Sequence, residues 1–155
     1  MRIEFFKKII VVNLIAISAS DAATIEWSGA VVNSCVVTIN NHGTLGVAID
    51  GKTMSSDNNT GGLPASVAVM STGQNLLTIG VPALTLRAVG YTGSPVMNTK
   101  YSSNDGHQAT WQQTAHEVAI QPGDTIFDVH AQMTDSDAFP VGAYKMTSDV
   151  TCAPN

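Results

Sequence analysis

The sequence predicts an all-β sandwich, and three observations predict it. Short runs of alternating apolar and polar residues recur along the chain, separated by turn signals such as NNHG, TGQN and QPGDT. No segment keeps a helical period over about twelve residues. Only 12% of the residues are charged, while Gly, Ser, Thr, Asn and Val abound. That composition suits an extracellular β protein, and one that assembles rather than repels itself.

Residues 1–22 read as a secretory signal peptide. MRIEFFKK is net positive, IIVVNLIAISAS is an apolar core, and Ser20 and Ala22 are small residues placed for cleavage. The apolar run is short for a bilayer span; a retained anchor is the alternative. Cleavage there leaves a mature chain from Ala23 of about 133 residues, one domain's worth.

The next stretch, ATIEWSGAVVNSCVVTI, alternates from Ala23 to Ile39. Ile25, Trp27, Gly29, Val31, Asn33, Cys35, Val37 and Ile39 fall on one, mostly apolar, face; Thr24, Glu26, Ser28 and their successors fall on the other. As one strand it is about twice the usual length. A strand that long at the start of the mature chain needs a partner from somewhere.

The remaining elements follow in order. TLGVAID alternates through Leu45, Val47 and Ile49, and the polar stretch 51–62 reads as a loop with nothing to bury. LPASVAVMS places Val67 and Val69 on one side of a strand. LLTIGVPALTLRAV is β-rich and breaks near Pro82, which has no N–H to donate to a ladder. Residues 91–108 read as loop or irregular edge. TAHEVAI alternates again, and IFDVHAQM lines up Phe127, Val129, Ala131 and Met133. TDSDAFPVG is a loop, and AYKMTSDVTC puts Tyr144, Met146, Ser148, Val150 and Cys152 on one face. Seven or so strands at such intervals predict a sandwich.

Two cysteines, Cys35 and Cys152, stand near the two ends. In a secreted chain an even count favours a disulfide, the alternative being two buried thiols. Their separation and the lack of neighbouring histidines do not suggest zinc. After Cys152 only APN follows. If Ala143–Cys152 is the penultimate strand of an immunoglobulin-like sandwich, the final strand is missing, and an apolar groove with unpaired backbone on both sides is left open.

Several function classes find no support. Without a Lys/Arg cluster, nucleic-acid binding is not expected. There is no G-x-S-x-G elbow, and nothing argues for an enzyme. Of the histidines His42, His107, His116 and His130, the pair His116 and His130 falls on adjacent predicted strands, with Asp128 nearby. A metal site there is conceivable, but surface-strand histidines are the commoner case, and no metal or cofactor is expected. Asp135 and Asp137 lack the spaced oxygen set that calcium requires. Tyr91, Tyr101 and Trp111 lie near predicted loops, where a ring stacks on a sugar or, more commonly, packs the rim.

The two ends of the chain resemble the subunits of chaperone–usher pili. Those subunits open with an alternating apolar extension containing a glycine, followed by a cysteine of the first core strand; here that reads Ile25, Trp27, Gly29, Val31 and Cys35. They close with a strand marked by a Gly-x-Tyr, here Gly142 and Tyr144. The related spore-coat-U-like secreted pilins share the N-terminal cysteine strand and the Gly-x-Tyr ending. The likeness covers roughly 23–48 and 139–152. One departure is plain: the family's usual partner cysteine lies in the second strand, and ASVAVMST has none.

The resemblance implies a signal peptide at 1–22, a donor-strand extension at 23–34 and an incomplete immunoglobulin-like domain at 35–155. It implies a subunit exported through the periplasm, held by a chaperone and passed by an outer-membrane usher into a surface fimbrium that supports adhesion. Its partners would be other pilus subunits, with a surface glycan as a further candidate. Ile25, Trp27 and Val31 would fill pockets of a neighbour's groove, each worth roughly 1.5–3 kcal/mol on burial, with Gly29 where the groove is shallow. Gly142, Tyr144, Met146 and Val150 would belong to the terminal strand bordering that groove. A Cys35–Cys152 bridge would join the first and last core strands. The alternative is a single-domain secreted adhesin or carbohydrate-binding sandwich that does not polymerise.

Overall fold

A computed structural model describes residues 26–57 and 60–154. The expected signal peptide, Ile25 and Asn155 lie outside the described residues. The chain divides into a short N-terminal unit ending at Ala30 and a main unit from Val31 onward. The described part of the short unit, residues 26–30, is exposed and strand-free.

Twelve strands and no helix make up the described main unit: β1 (Cys35–Asn41), β2 (Gly46–Val47), β3 (Thr53–Ser55), β4 (Ala65–Ser71), β5 (Asn75–Ile79), β6 (Ala83–Leu86), β7 (Val96–Ser103), β8 (Gln108–Gln112), β9 (His116–Ile120), β10 (Gly123–Thr134), β11 (Lys145–Thr147) and β12 (Val150–Pro154). All pairings are antiparallel. The larger sheet is organised around β10. One edge of β10 takes β4 along Gly123–Val129 and β3 along Gln132–Thr134; the other takes β7, then β8. Beyond β4 lies β1, and beyond β3 lies β2.

The other layer is β12-β5-β9 with β11-β6. These two small sheets are two halves of one interrupted strand pair. Pro82 falls in the gap between β5 and β6, where no ladder N–H is required of it. The Gly80 N–H donates to the Asp149 carbonyl (2.8 Å) and the Ser148 hydroxyl to the Gly80 carbonyl (2.6 Å), so the interruption is itself hydrogen-bonded.

Alternation puts the apolar side chains of both layers into one core. Val67, Val69, Tyr101, Phe127 and Val129 come from the larger sheet, and Leu77, Ile79, Val118 and Ile120 from the other. Cys35, Val37, Val150 and Cys152 pack against this cluster from the β1–β12 side. Met133 is buried farther along β10, with Met54 opposite it in register.

Four expectations need correction. The opening alternation does not make one strand from Ala23 to Ile39; pairing begins at Cys35. The register matches Cys35 with Ser71, the last residue of β4, and the chain then turns into β5, so among the described residues the strand ladder does not continue before Cys35. The stretch 51–62 is not empty loop. Thr53–Ser55 pairs with the far end of β10, and Met54, Ser55 and Ser56 are buried. Residues 96–103 are not loop either but a full partner of β10, with Thr99 and Tyr101 buried. TLGVAID forms only the two-residue β2, and Ile49 is fully exposed at a turn.

Candidate functional site: the edge between the first and last strands

The first and last strands, β1 with Cys35 and β12 with Cys152, meet at one edge of the main unit. β1 runs away from Cys35 and pairs with β4 on one side; β12 runs toward Pro154 and pairs with β5 on one side. Among the described residues no ladder joins their facing edges. Cys35 and Cys152 form a disulfide, with Cα atoms 6.0 Å apart. Paired strands in one sheet lie about 4.8 Å apart. The two edges are therefore stapled side to side at that point without being hydrogen-bonded to each other.

Polar side chains secure the stapled end. The Ser34 N–H donates to the Thr72 hydroxyl (2.8 Å), the Thr72 N–H to the Ser34 carbonyl (3.0 Å), and the Thr72 hydroxyl to the Val32 carbonyl (2.8 Å). The Asn33 amide donates to the Gln74 carbonyl (3.0 Å). Buried Asn75 donates to the Ser71 hydroxyl (2.6 Å). These contacts hold the chain where it enters β1. Nothing in the local pattern of Ser34 or Thr72 announced them.

Away from the staple the edge opens. Val37 still packs on the core, but Ile39, next on the same face of β1, is 46% exposed. On the last strand Tyr144, Met146, Val150 and Cys152 are half-buried and alternate with exposed neighbours, as expected. Ser148 departs from the pattern, being exposed where the ladder is interrupted. Met146 pairs with Leu84, which is also half-buried.

Gly142 lies at the far end, and its reason is steric: a Cβ there would fall on the Cβ of buried Ala88. Next to it Tyr144, Phe139 and Tyr91 form an aromatic trio with ring centroids 5.4–5.6 Å apart. The Tyr144 hydroxyl donates to the Pro140 carbonyl (3.0 Å) and the Tyr91 hydroxyl to the Asp135 carboxylate. Burial, then that carboxylate, push the Tyr91 phenol up; the phenol's hydrogen bond in turn lowers Asp135.

The extension residues lie apart from any ladder. Trp27, in the short unit, is 87% exposed, and Val31, at the start of the main unit, is 88% exposed. Gly29 lies between them in the same strand-free stretch.

The histidines divide differently from the sequence expectation. His116 and His130 are not on adjacent strands: β9 belongs to the smaller layer and β10 to the larger sheet. His116 is buried; its Nε2 donates to the Thr99 carbonyl (3.0 Å), its Nδ1 accepts from Gln112 (2.6 Å), and its ring meets Tyr101 edge-on at 5.1 Å. His130 lies on the outer face of the larger sheet, opposite Lys100 in register. Burial, then the Lys100 ammonium, lower its imidazole below the ordinary value. Lys100 pairs with Asp57, which its hydrogen bond holds below the usual carboxylate range, and stands 5.0 Å over the Trp111 ring. A register shift in β8 brings Trp111 onto this face. An open cleft of about 600 Å³ beside it is lined by Lys100, Ser102, Gln108, Thr110 and His130, among others. Tyr101, read as a loop aromatic, is instead a core residue. Among the described residues no group of three or more His, Cys, Asp or Glu is placed to hold a metal ion.

No protein-family model matches the chain, and no curated protein matches it in sequence.

Proposed function

We propose that the chain is a structural subunit of a surface pilus, an immunoglobulin-like sandwich lacking its final strand. In this reading subunits join by donor-strand exchange, delivered by a periplasmic chaperone and an outer-membrane usher, and the fibre supports adhesion. The observation that carries it is the edge just described: β1 and β12 each pair on one side only, while the alternating apolar extension forms no strand among its described residues. Unpaired edges and an unpaired alternating segment are the two halves of β-strand addition. Backbone hydrogen bonds supply the affinity, and alternate side chains supply the specificity. Ile25, Trp27 and Val31 are the donor anchors, with Gly29 at a close approach. Gly142, Tyr144, Met146 and Val150 mark the strand that receives them.

The test is a denaturing gel without heating, run on mature protein co-expressed with a periplasmic pilus chaperone, beside a variant lacking Ala23–Val32. A ladder of multimers that collapses on heating and is absent from the truncation is the expected result. A single monomer band for the full chain, with an unfolded truncation, would mean that the extension serves its own domain.

A second reading rests on a separate observation. The outer face of β7, β8 and β10 lines the open cleft with Lys100, Gln108, Thr110, Ser102 and His130, and Trp111 packs against two of these, His130 and Lys100. Aromatic, amide and hydroxyl groups together suit a neutral saccharide. A non-polymerising sugar-binding module would bind a glycan array as a monomer and lose that binding on Trp111→Ala.

A further inference from the structure

We infer that the Cys35–Cys152 disulfide is the stop that sets the register and direction of an inserted donor strand; this rests on the strand-exchange reading above. A strand inserted between two others needs about 4.8 Å on each side, so its flanking strands must stand about 9.6 Å apart. At the disulfide the flanking Cα atoms are 6.0 Å apart. No strand passes there. Sulfur covalently closes the edge at the end where β1 begins and β12 finishes.

The remaining edge runs from Val150 back through Lys145–Thr147 to Gly142. The registers orient it. Cys35 lies opposite Ser71 at the end of β4, Pro154 lies opposite Asn75 at the start of β5, and only a three-residue turn separates those two strands. β1 therefore descends from the closed end while β11 and β12 climb toward it. Val37 and Val150 are the last pair packed on the core below the disulfide, and Ile39 beyond them is half exposed.

Direction follows from connectivity. The donor segment is joined at its C-terminal side to its own folded domain, whose first strand begins at Cys35, four residues after Val31. That domain cannot pass between the stapled strands, so it must stay outside the open, Gly142 end. The donor's N-terminal side then points at the disulfide, and the donor runs antiparallel to β11 and β12. Lengths agree: Ile25 to Val31 and Tyr144 to Val150 are each six steps, about 20 Å of strand. Setting Ile25 beside Val150 sets Val31 beside Tyr144, and outward-facing Ser28 beside Thr147. The occupant is a second copy of this chain, whose extension has the length and alternation the open edge requires.

The experiment places the photoreactive residue benzoylphenylalanine at Ser28, which leaves the inward anchors untouched, in chaperone-assembled multimers of the otherwise native chain. Cross-linked peptides are then mapped by mass spectrometry. The expected cross-links from Ser28 fall within 142–150 of the neighbouring copy, centred near Thr147, with none at 151–154. The same probe at outward-facing Ala30 centres near Lys145, and a centre near Asp149 would overturn the direction. In Cys35→Ser/Cys152→Ser multimers the Ser28 cross-links spread toward 151–154. Multimers whose native-disulfide cross-links reach 151–154 would overturn the stop while leaving strand exchange intact. An absence of multimers and of any cross-link between copies would remove both. The native mapping decides the matter even if the double variant fails to fold.

Discussion

Breaking the Cys35–Cys152 bridge is the perturbation with the largest calculable effect. The linked residues are 117 apart in sequence, so the bridge constrains nearly the whole unfolded domain. Loop-closure entropy for a ring of that size gives about 4.9 kcal/mol at 25 °C. A domain of about 120 residues has a total stability of about 6–18 kcal/mol, so the loss takes between a quarter and most of it. At about 4 °C per kcal/mol for this size, melting should fall by about 15–20 °C. Both cysteines are half-buried, so reductant alone is a poor probe of the effect. The assay is calorimetry of the oxidised protein against Cys35→Ser/Cys152→Ser, with thiol counting to verify each state. A fall of less than about 5 °C would refute the chain-entropy argument. It would mean that the bridge constrains the unfolded ensemble far less than the chain-entropy model assigns to a loop of this size.

Three further outcomes are expected. Trp27→Ala should leave monomer melting within about 0.5 kcal/mol, because the side chain is exposed, yet abolish the multimer ladder; a ladder of unchanged strength would remove Trp27 as an anchor. Gly142→Ala should cost about 1–3 kcal/mol in urea unfolding, since the new methyl falls on buried Ala88; an unchanged midpoint would mean that the loop moves aside freely. For His130 the folded value lies below 6.5, so between that value and 6.5 the unfolded chain binds more protons than the native one. Its contribution is complete above about pH 6.5 and lost as pH falls toward the lowered value. His130→Gln should therefore flatten the decline in melting temperature from pH 7.5 to 5. Parallel curves for the two proteins would assign that decline to other groups.

Strand alternation is a local property, and within the strands that found partners on the core the sequence by itself determined which side chains face inward. Val67 and Val69, Phe127 and Met133, and Val150 and Cys152 all occupy the faces their spacing assigns. Gly142 and Pro82 likewise mark a close approach and an interruption where their chemistry calls for one. Pairing is not local, and it decided the rest. The apolar alternation of Trp27 to Val31 is as regular as that of Cys35 to Ile39, but β4 ends at Ser71 and leaves the earlier residues without a ladder. Thr53–Ser55 and Val96–Ser103 read as polar loops because their buried positions include the polar Ser55 and Thr99. They are strands because the long β10 extends past β4 to pair with Thr53–Ser55 and offers its other edge to Val96–Ser103, where the Thr99 carbonyl also accepts a hydrogen bond from buried His116. Two cysteines at opposite ends of the chain raised a disulfide as one of two possibilities. Only the meeting of the first strand's beginning with the last strand's end, in two different layers, brought them to bonding distance.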